Sequence, residues 1–284
     1  MGSSPSFKKG LWGSKGQGPL GKGLVGFQGA RPLALTACNQ SEEMDEIQGS
    51  NEVTFRIKAS ELSRAGKEQF KDGDAIGIYA VERTQDGTVA APVTNGRANN
   101  AKWIRENGEW KPATATDRIT WSQKGTKMDF YAYYPYTAGI ENPAAIALEL
   151  NGQGENLEGA DVLRAANTTG LSTGEVTLSF EHVLGMLHIV ATDLTAEGDV
   201  VKVSGVKLAT SLNLGSGEIT TAEDATAGIL TLSSLGNGVF EGIMPAQTFS
   251  GEIQCEHNGS VYIHTFTDLA VETAKIKQIN LTLK

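Results

Sequence analysis

Long apolar runs are missing from this chain of 284 residues. No stretch approaches the ~20 consecutive apolar residues that a membrane-crossing helix needs. Aromatic residues supply only 7% of the chain, and there are just four histidines and two cysteines. The cysteines, Cys38 and Cys255, do not make a disulfide framework. His182, His188, His257 and His264 do not form the clustered ligand pattern of a metal site. No Ser/His/Asp or Cys/His arrangement stands out either. Catalytic residues, metal ligands and cofactors are therefore all expected to be absent.

Basic charge is also scarce beyond the first segment. Residues 1–37 hold Lys8, Lys9, Lys15, Lys22 and Arg31 and no acidic residue, leaving 19 basic against 33 acidic residues in the remainder. Such a body repels nucleic acid phosphates and anionic lipid headgroups, so no nucleic acid partner is expected. What is abundant is Gly, at 34 residues, together with Thr, Ser, Val and Ile. That mixture favours short strands and many turns over helical bundles. The length suits two ordinary domains or one large all-β domain.

A basic start on an acidic body has the form of an export leader. Leu35-Thr36-Ala37-Cys38 matches the lipobox of bacterial lipoproteins. Small residues ahead of Cys38 let the backbone reach a peptidase, and the thiol takes the lipid that tethers a soluble body to a membrane. The polar acidic run Asn39-Gln-Ser-Glu-Glu-Met-Asp-Glu46 that follows resembles a surface-export signal of anaerobic Gram-negative bacteria. A leader also needs an apolar stretch of about 7–15 residues. Gly, Gln, Lys and Pro break that stretch from Gly10 through Pro32, so residues 1–37 read as a degenerate leader.

Beyond it the chain alternates. Val53, Phe55 and Ile57 fall on one face of a strand over 51–59. Ala75–Val81 reads as a strand after the turn Asp72-Gly73-Asp74. Asn107-Gly108 and Asn258-Gly259 each mark a two-residue hairpin. Met128–Tyr134 is strongly β-prone and stops at Pro135. Residues 137–175 read as a long connection with room for one short helix or strand. Strands follow over 175–189, near 200–209, 229–232 and 238–243, and around Asn258-Gly259. The last run sets Ile279, Leu281 and Leu283 on one face. Many short strands with turns every ~8–12 residues point to sandwiches.

Asp72-Gly73-Asp74 lacks the further oxygen ligands of a calcium loop. Asn151-Gly-Gln-Gly154 lacks the Lys-Ser/Thr of a phosphate loop. Phe130, Tyr131, Tyr133, Tyr134 and Tyr136 could stack on sugars, or split between a core face and a wet face. His182 is expected to be a packed structural residue and His257 to be solvated. Arg64, in the polar stretch after the first strand, is either a protease target or a surface charge.

Several motifs occur in order: the lipobox at Cys38, Phe70-Lys-Asp-Gly-Asp-Ala-Ile-Gly-Ile-Tyr-Ala80, Asp129-Phe-Tyr-Ala-Tyr-Tyr-Pro135, Asp161-Val-Leu-Arg-Ala165, Leu178-Ser-Phe-Glu-His-Val-Leu184, Gly242-Ile-Met-Pro-Ala-Gln247 and the closing alternating strand. Together, over about residues 35–284, they resemble the fimbrillin-like family, the minor-fimbrium-like lipoprotein pilins of type V fimbriae. The resemblance implies an all-β fold of two tandem transthyretin-like β-sandwich domains, at 38–172 and 173–284. It also implies an outer-membrane-anchored precursor, lipidated at Cys38, that ends in a fimbrium. Cleavage at Arg64 would remove the first strand, with Val53, Phe55 and Ile57, and another fimbrial subunit would refill the groove by strand exchange.

The expected function is thus a non-catalytic fimbrial subunit at a tip or accessory position, with a host or bacterial surface ligand as a further partner. The tip position follows if the strand bearing Ile279, Leu281 and Leu283 completes its own sheet and is not donated. One alternative is a surface glycan-binding β-sandwich lipoprotein. Another is an exported glycosidase with two carboxylates across a cleft.

Overall fold

The alternating runs do become strands. In the computed structural model, residues 51–59 and 70–283 are described, all within a unit spanning residues 48–284. The chain is all-β. Its first half holds β1 (Thr54–Ala59), β2 (Ala75–Glu82), β3 (Ala98–Glu106), β4 (Glu109–Pro112), β5 (Met128–Tyr134), β6 (Ile146–Leu148), β7 (Leu163–Leu171) and β8 (Glu175–His182). Then come β9 (Gly185–Ala191), β10 (Val200–Val206), β11 (Thr210–Leu212), β12 (Ile219–Thr221), β13 (Gly228–Thr231), β14 (Ser233–Gly236), β15 (Val239–Met244), β16 (Gln247–His257), β17 (Ser260–Val271) and β18 (Ile276–Leu281). One short helix, α1 (Leu157–Ala160), and a 3-10 turn at Ala115–Asp117 interrupt them.

Strands β1-β8-β7-β5-β2-β3-β4 form a seven-stranded sheet in that order. Three smaller sheets have the orders β13-β10-β16-β17, β12-β11-β6 and β14-β15-β9-β18. Most neighbours run antiparallel. The two exceptions are β1 on β8 and β18 on β9, each a parallel edge strand.

The seven-stranded sheet is packed on both faces at its centre, which explains the unbroken apolar character of β5. Its Met128, Phe130, Ala132 and Tyr134 point into one core with Ile76, Ile78 and Ala80 of β2. Its Tyr131 and Tyr133 point into the other with Tyr79 and Val81 of β2 and the strands beyond residue 182. A strand covered on both sides loses the polar alternation of a half-exposed one. Gly77 interrupts β2 because a Cβ there would lie 2.4 Å from both Asn100 Oδ1 and the Tyr133 ring.

The hairpins at Asn107-Gly108 and Asn258-Gly259 form as expected, and Asn237-Gly238 makes a third. All six residues have positive φ, as a type I′ turn between right-twisted strands demands.

Two boundaries need correction. Residues 137–175 hold not one short element but three, β6, α1 and the nine-residue β7. The expected division at residues 172 and 173 falls between β7 and β8 of a single sheet. β8 pairs with β7 only through Leu163↔His182 and Arg164↔Glu181, then diverges to carry β1. The chain leaves this sheet after His182.

Candidate functional site

Among the described residues, β1 pairs with β8 on one side and with no strand on the other. Alternation gives it one wet and one dry face: Thr54, Arg56 and Lys58 are exposed, while Phe55, Ile57 and Ala59 are half-buried. The parallel register sets Phe55 opposite Val176, Ile57 opposite Leu178 and Ala59 opposite Phe180. The Phe55 ring stands edge-on to Trp103 and Phe130, with centroids 4.9 and 5.6 Å apart. On the wet face, Arg56 Nε lies 2.8 Å from Glu175 Oε2.

The residues just before β1 are held by another part of the chain. Val53 N donates to Ile119 O at 2.8 Å, and Trp121 N donates to Asn51 O at 2.8 Å. Asn51 Nδ2 donates to Trp121 O at 3.2 Å. Val53 itself is 1% exposed. Lifting out residues 51–59 would uncover a groove floored by Trp103, Trp121, Phe130, Val176, Leu178 and Phe180. It would also leave the β8 backbone facing β1 without partners, a costly state until refilled.

Both described ends flanking residues 60–69 meet the same residue. Ala59 pairs with Phe180 across the ladder, and the Phe70 ring lies 5.4 Å from the Phe180 ring. Phe70 also touches Trp110 and Tyr134. The chain therefore departs from Phe180 and returns to it. Arg64 lies in this interval, outside the described residues, as do Cys38 and the leader.

Two half-buried arginines tie neighbouring elements together. Arg83 Nε and Nη2 grip Asp129, at 3.1 and 3.0 Å from Nε to the two carboxylate oxygens and 2.8 Å from Nη2 to Oδ1. The Ala90 amide also donates to Asp129 Oδ2. The hydrogen bond to Asp129 raises the Arg83 pKa above its ordinary value, and the carboxylate's charge adds to the rise. Arg164 of β7 donates instead to the carbonyls of Leu214 and Gly215, tying the seven-stranded sheet to the turn between β11 and β12. Burial lowers its pKa.

Three histidines each face one carboxylate: His182 and Asp161 at 2.8 Å, His188 and Glu241 at 2.8 Å, and His257 and Asp199 at 2.9 Å. His182 is buried as expected. His257, expected to be solvated, is instead paired and partly buried. Nothing in the sequence signals these pairs, whose members lie 21 to 58 residues apart. Among the described residues no group of three or more His, Cys, Asp or Glu could hold a metal ion. Cys255 is a free thiol in the core, its pKa raised by burial.

The aromatic run does not make a stacking platform. Phe130, Tyr131, Tyr133 and Tyr134 are divided between the two cores. Tyr136 is half-buried with Lys102 Nζ 5.1 Å from its ring centre.

At the other end of the chain, β18 pairs in parallel with β9, setting Ile279 opposite Ile189 and Leu281 opposite Ala191. Ile279, Leu281 and Leu283 are partly buried against the core.

Known proteins share this architecture. A structure of a candidate cell adhesion protein from Bacteroides uniformis superposes with a TM-score of 0.60 at 23% identity, covering 82% of this chain and 94% of that one. A candidate cell adhesion protein from Bacteroides ovatus gives 0.63 at 19% identity, covering 81% and 91%. These likenesses establish the fold. A search among curated proteins found no match. The profile of fimbrillin-like proteins matches residues 63–284, a span that takes in β8 and every strand after β1. The chain therefore belongs to the fimbrillin-like family, whose members are fimbrial structural proteins of the cell surface and not enzymes.

Proposed function

We propose that this fimbrial subunit assembles by strand exchange through the β1 groove, and that it takes a tip or accessory position. Cleavage after Arg64 severs β1 from the body, and a strand from a neighbouring subunit replaces it. The carrying observation is the pair of contacts at Phe180, with Ala59 on one side of the cleavage interval and Phe70 on the other. A cut there detaches β1 and leaves the Phe70 ring seated among Trp110, Tyr134 and Phe180. β-Augmentation supplies the affinity: main-chain hydrogen bonds to β8 hold the new strand, and alternate side chains fill the sites of Val53, Phe55 and Ile57.

The tip or accessory position draws support from β18. A strand already paired to β9 and packed through Ile279, Leu281 and Leu283 is committed to its own sheet. Such a subunit accepts a strand more readily than it donates this one. Before cleavage the precursor is held at the outer membrane by lipid on Cys38, and a surface ligand on a host or another bacterium is the further partner.

Digestion of the precursor with an Arg-specific protease tests the reading. The expected body begins at Ala65 by N-terminal sequencing. Mixed with a second fimbrial subunit, it forms oligomers from which residues 51–59 are missing. A dominant cut elsewhere, with residues 51–59 still covalently attached in the oligomer, overturns it.

A further inference from the structure

We infer that β17 is an interaction surface for a second copy of this chain, joining two uncut subunits edge to edge by antiparallel pairing about a two-fold axis at Ile263. The contact involves neither residues 51–59 nor any cleavage.

Eight strands lie at the edges of the four sheets. Seven are poor templates for a further strand. β4, β6, β12, β13 and β14 have only three or four residues each. β1 and β18 carry exposed cationic side chains, Arg56 and Lys58 on the first and Lys277 on the second. Short length and edge charge are guards against pairing with another chain. β17 is different. It is 12 residues long, and Asp268 is its one carboxylate. Among the described residues it pairs with β16 on one side and with no strand on the other.

A bulge bends the far part of this edge. Ser250 faces both Thr267 and Asp268, Asp268 has a φ of 52°, and its amide donates to Ser250 Oγ at 3.0 Å. What remains regular is Ser260–Phe266, seven residues without Asp, Glu, Lys or Arg. This run is unfinished on both faces. On the outer face Val261 and Ile263 are 55% and 58% exposed. On the inner face Tyr262, His264 and Phe266 are only half-buried. His264 Nε2 is buried with no hydrogen-bond partner among the described residues. A strand laid beside β17 with the same alternation covers the outer pair and extends the inner row.

The register points to a second copy. Antiparallel pairing sets residues of the same hydrogen-bonding type opposite each other, so a two-fold axis must set one residue against itself. Centred on Ile263, the run maps onto itself from end to end. Ser260 falls opposite Phe266, Val261 opposite Thr265, and Tyr262 opposite His264. β-Branched side chains then meet on the outer face and rings meet on the inner face, both favourable cross-strand pairs. A strand of unrelated sequence has no reason to match this order. Because both copies use the same edge, the assembly closes at two.

Sedimentation of the uncut chain over a concentration series tests the inference. A reversible monomer–dimer equilibrium is expected, since an edge contact alone buries less than the ~1,200 Å² of a standard interface. Ile263→Lys and Ile263→Glu each put two like charges on the axis, and each should weaken dimerisation about tenfold. An equimolar mixture of the two variants should restore it, because only this register sets residue 263 against residue 263. Recovery in the mixture also shows that both variants fold. Ile229→Lys, at a 63% exposed site on the opposite edge strand β13, should leave dimerisation unchanged. A chain that stays monomeric throughout the series overturns the inference, and so does a dimer that neither Ile263 substitution weakens or that Ile229→Lys abolishes. Loss in both Ile263 variants without recovery in the mixture overturns the two-fold register.

Discussion

The ring of Phe55 meets that of Trp103 edge-on, at 4.9 Å between centroids and 81° between planes. This contact joins the first strand to the far side of its own sheet, since β1 and β3 stand at positions separated by four other strands. Phe55→Ala removes the ring and leaves a void between Trp103 and Phe130. The site is half-buried, so the expected loss is about 2–3 kcal/mol, below the ~3–5 of a fully buried Phe. Phe55→Leu should recover most of it. Urea unfolding of the uncut chain measures both, and an unchanged midpoint for Phe55→Ala would remove β1 from the cooperative core.

How much of this was legible beforehand depends on the range of the interaction. Val53, Phe55 and Ile57 announce a strand by strict alternation, and Asn107-Gly108 announces its hairpin because Asn and Gly tolerate positive φ. Those signals are local. β7 was missed because Ala165-Ala-Asn-Thr-Thr169 carries small and polar side chains where it pairs with β5, so its strand character comes from the neighbour. The division at 172 and 173 failed for a related reason. Residues 172–174 only join β7 to β8, two strands of one sheet. The pairing of β1 with β8, more than a hundred residues on, leaves no mark in either segment. The same is true of the partners of Arg83, Arg164 and the histidines.

Asp129 is completely buried, and its carboxylate takes three hydrogen bonds from Arg83 and one from the Ala90 amide. Asp129→Ala leaves a guanidinium with little solvent and no counter-charge. Breaking such a pair from one side costs about 3–5 kcal/mol. Replacing both partners, as Arg83→Met with Asp129→Leu, should be much milder. A double-mutant cycle by chemical denaturation gives the coupling. Additive losses would show that the pair contributes through packing alone.

Four tyrosines have raised pKa values, and burial is the leading cause in each: Tyr79, Tyr131, Tyr133 and Tyr134. Tyr79, whose hydroxyl is buried without a hydrogen-bond partner among the described residues, is pushed up to about 12. The unfolded chain releases these protons near the ordinary value of ~10, while the folded chain still holds them. Stability is thus intact below pH ~10 and falls as pH rises from there toward about 12. Ultraviolet difference titration should show the phenolates of these four appearing together with loss of strand circular dichroism. Ionisation near pH 10 with the fold unchanged would contradict their burial.

Cys38 provides a prediction outside the described residues. The Leu35-Thr-Ala-Cys38 sequence and the acidic run after it call for acylation of the Cys38 thiol. In cells supplied with a labelled fatty acid, behind an intact leader, the wild-type chain should take up label and fractionate with the outer membrane. Cys38→Ala should do neither. Equal labelling of both would end the lipoprotein reading.

β18 decides between the two positions in the fimbrium. Six ladder pairs join it to β9, and Ile276, Ile279, Leu281 and Leu283 are partly buried against the core. A fully buried aliphatic side chain is worth roughly 1.5–3 kcal/mol, so even half-buried, these four together amount to several kcal/mol. That is a large part of the total stability of an ordinary domain. If the strand is integral, deleting residues 275–284 strips the β9 edge at Met186–Ala191 of its partner and unfolds the sheet β14-β15-β9, whatever the chain's partners. If the strand is instead a donor that only rests there, the deleted monomer stays folded and loses polymerisation alone. Hydrogen exchange at Met186–Ala191 separates these outcomes. The tip or accessory reading requires those amides to lose protection on deletion, and a folded, fully protected monomer that no longer joins a neighbour would move this subunit into the stalk.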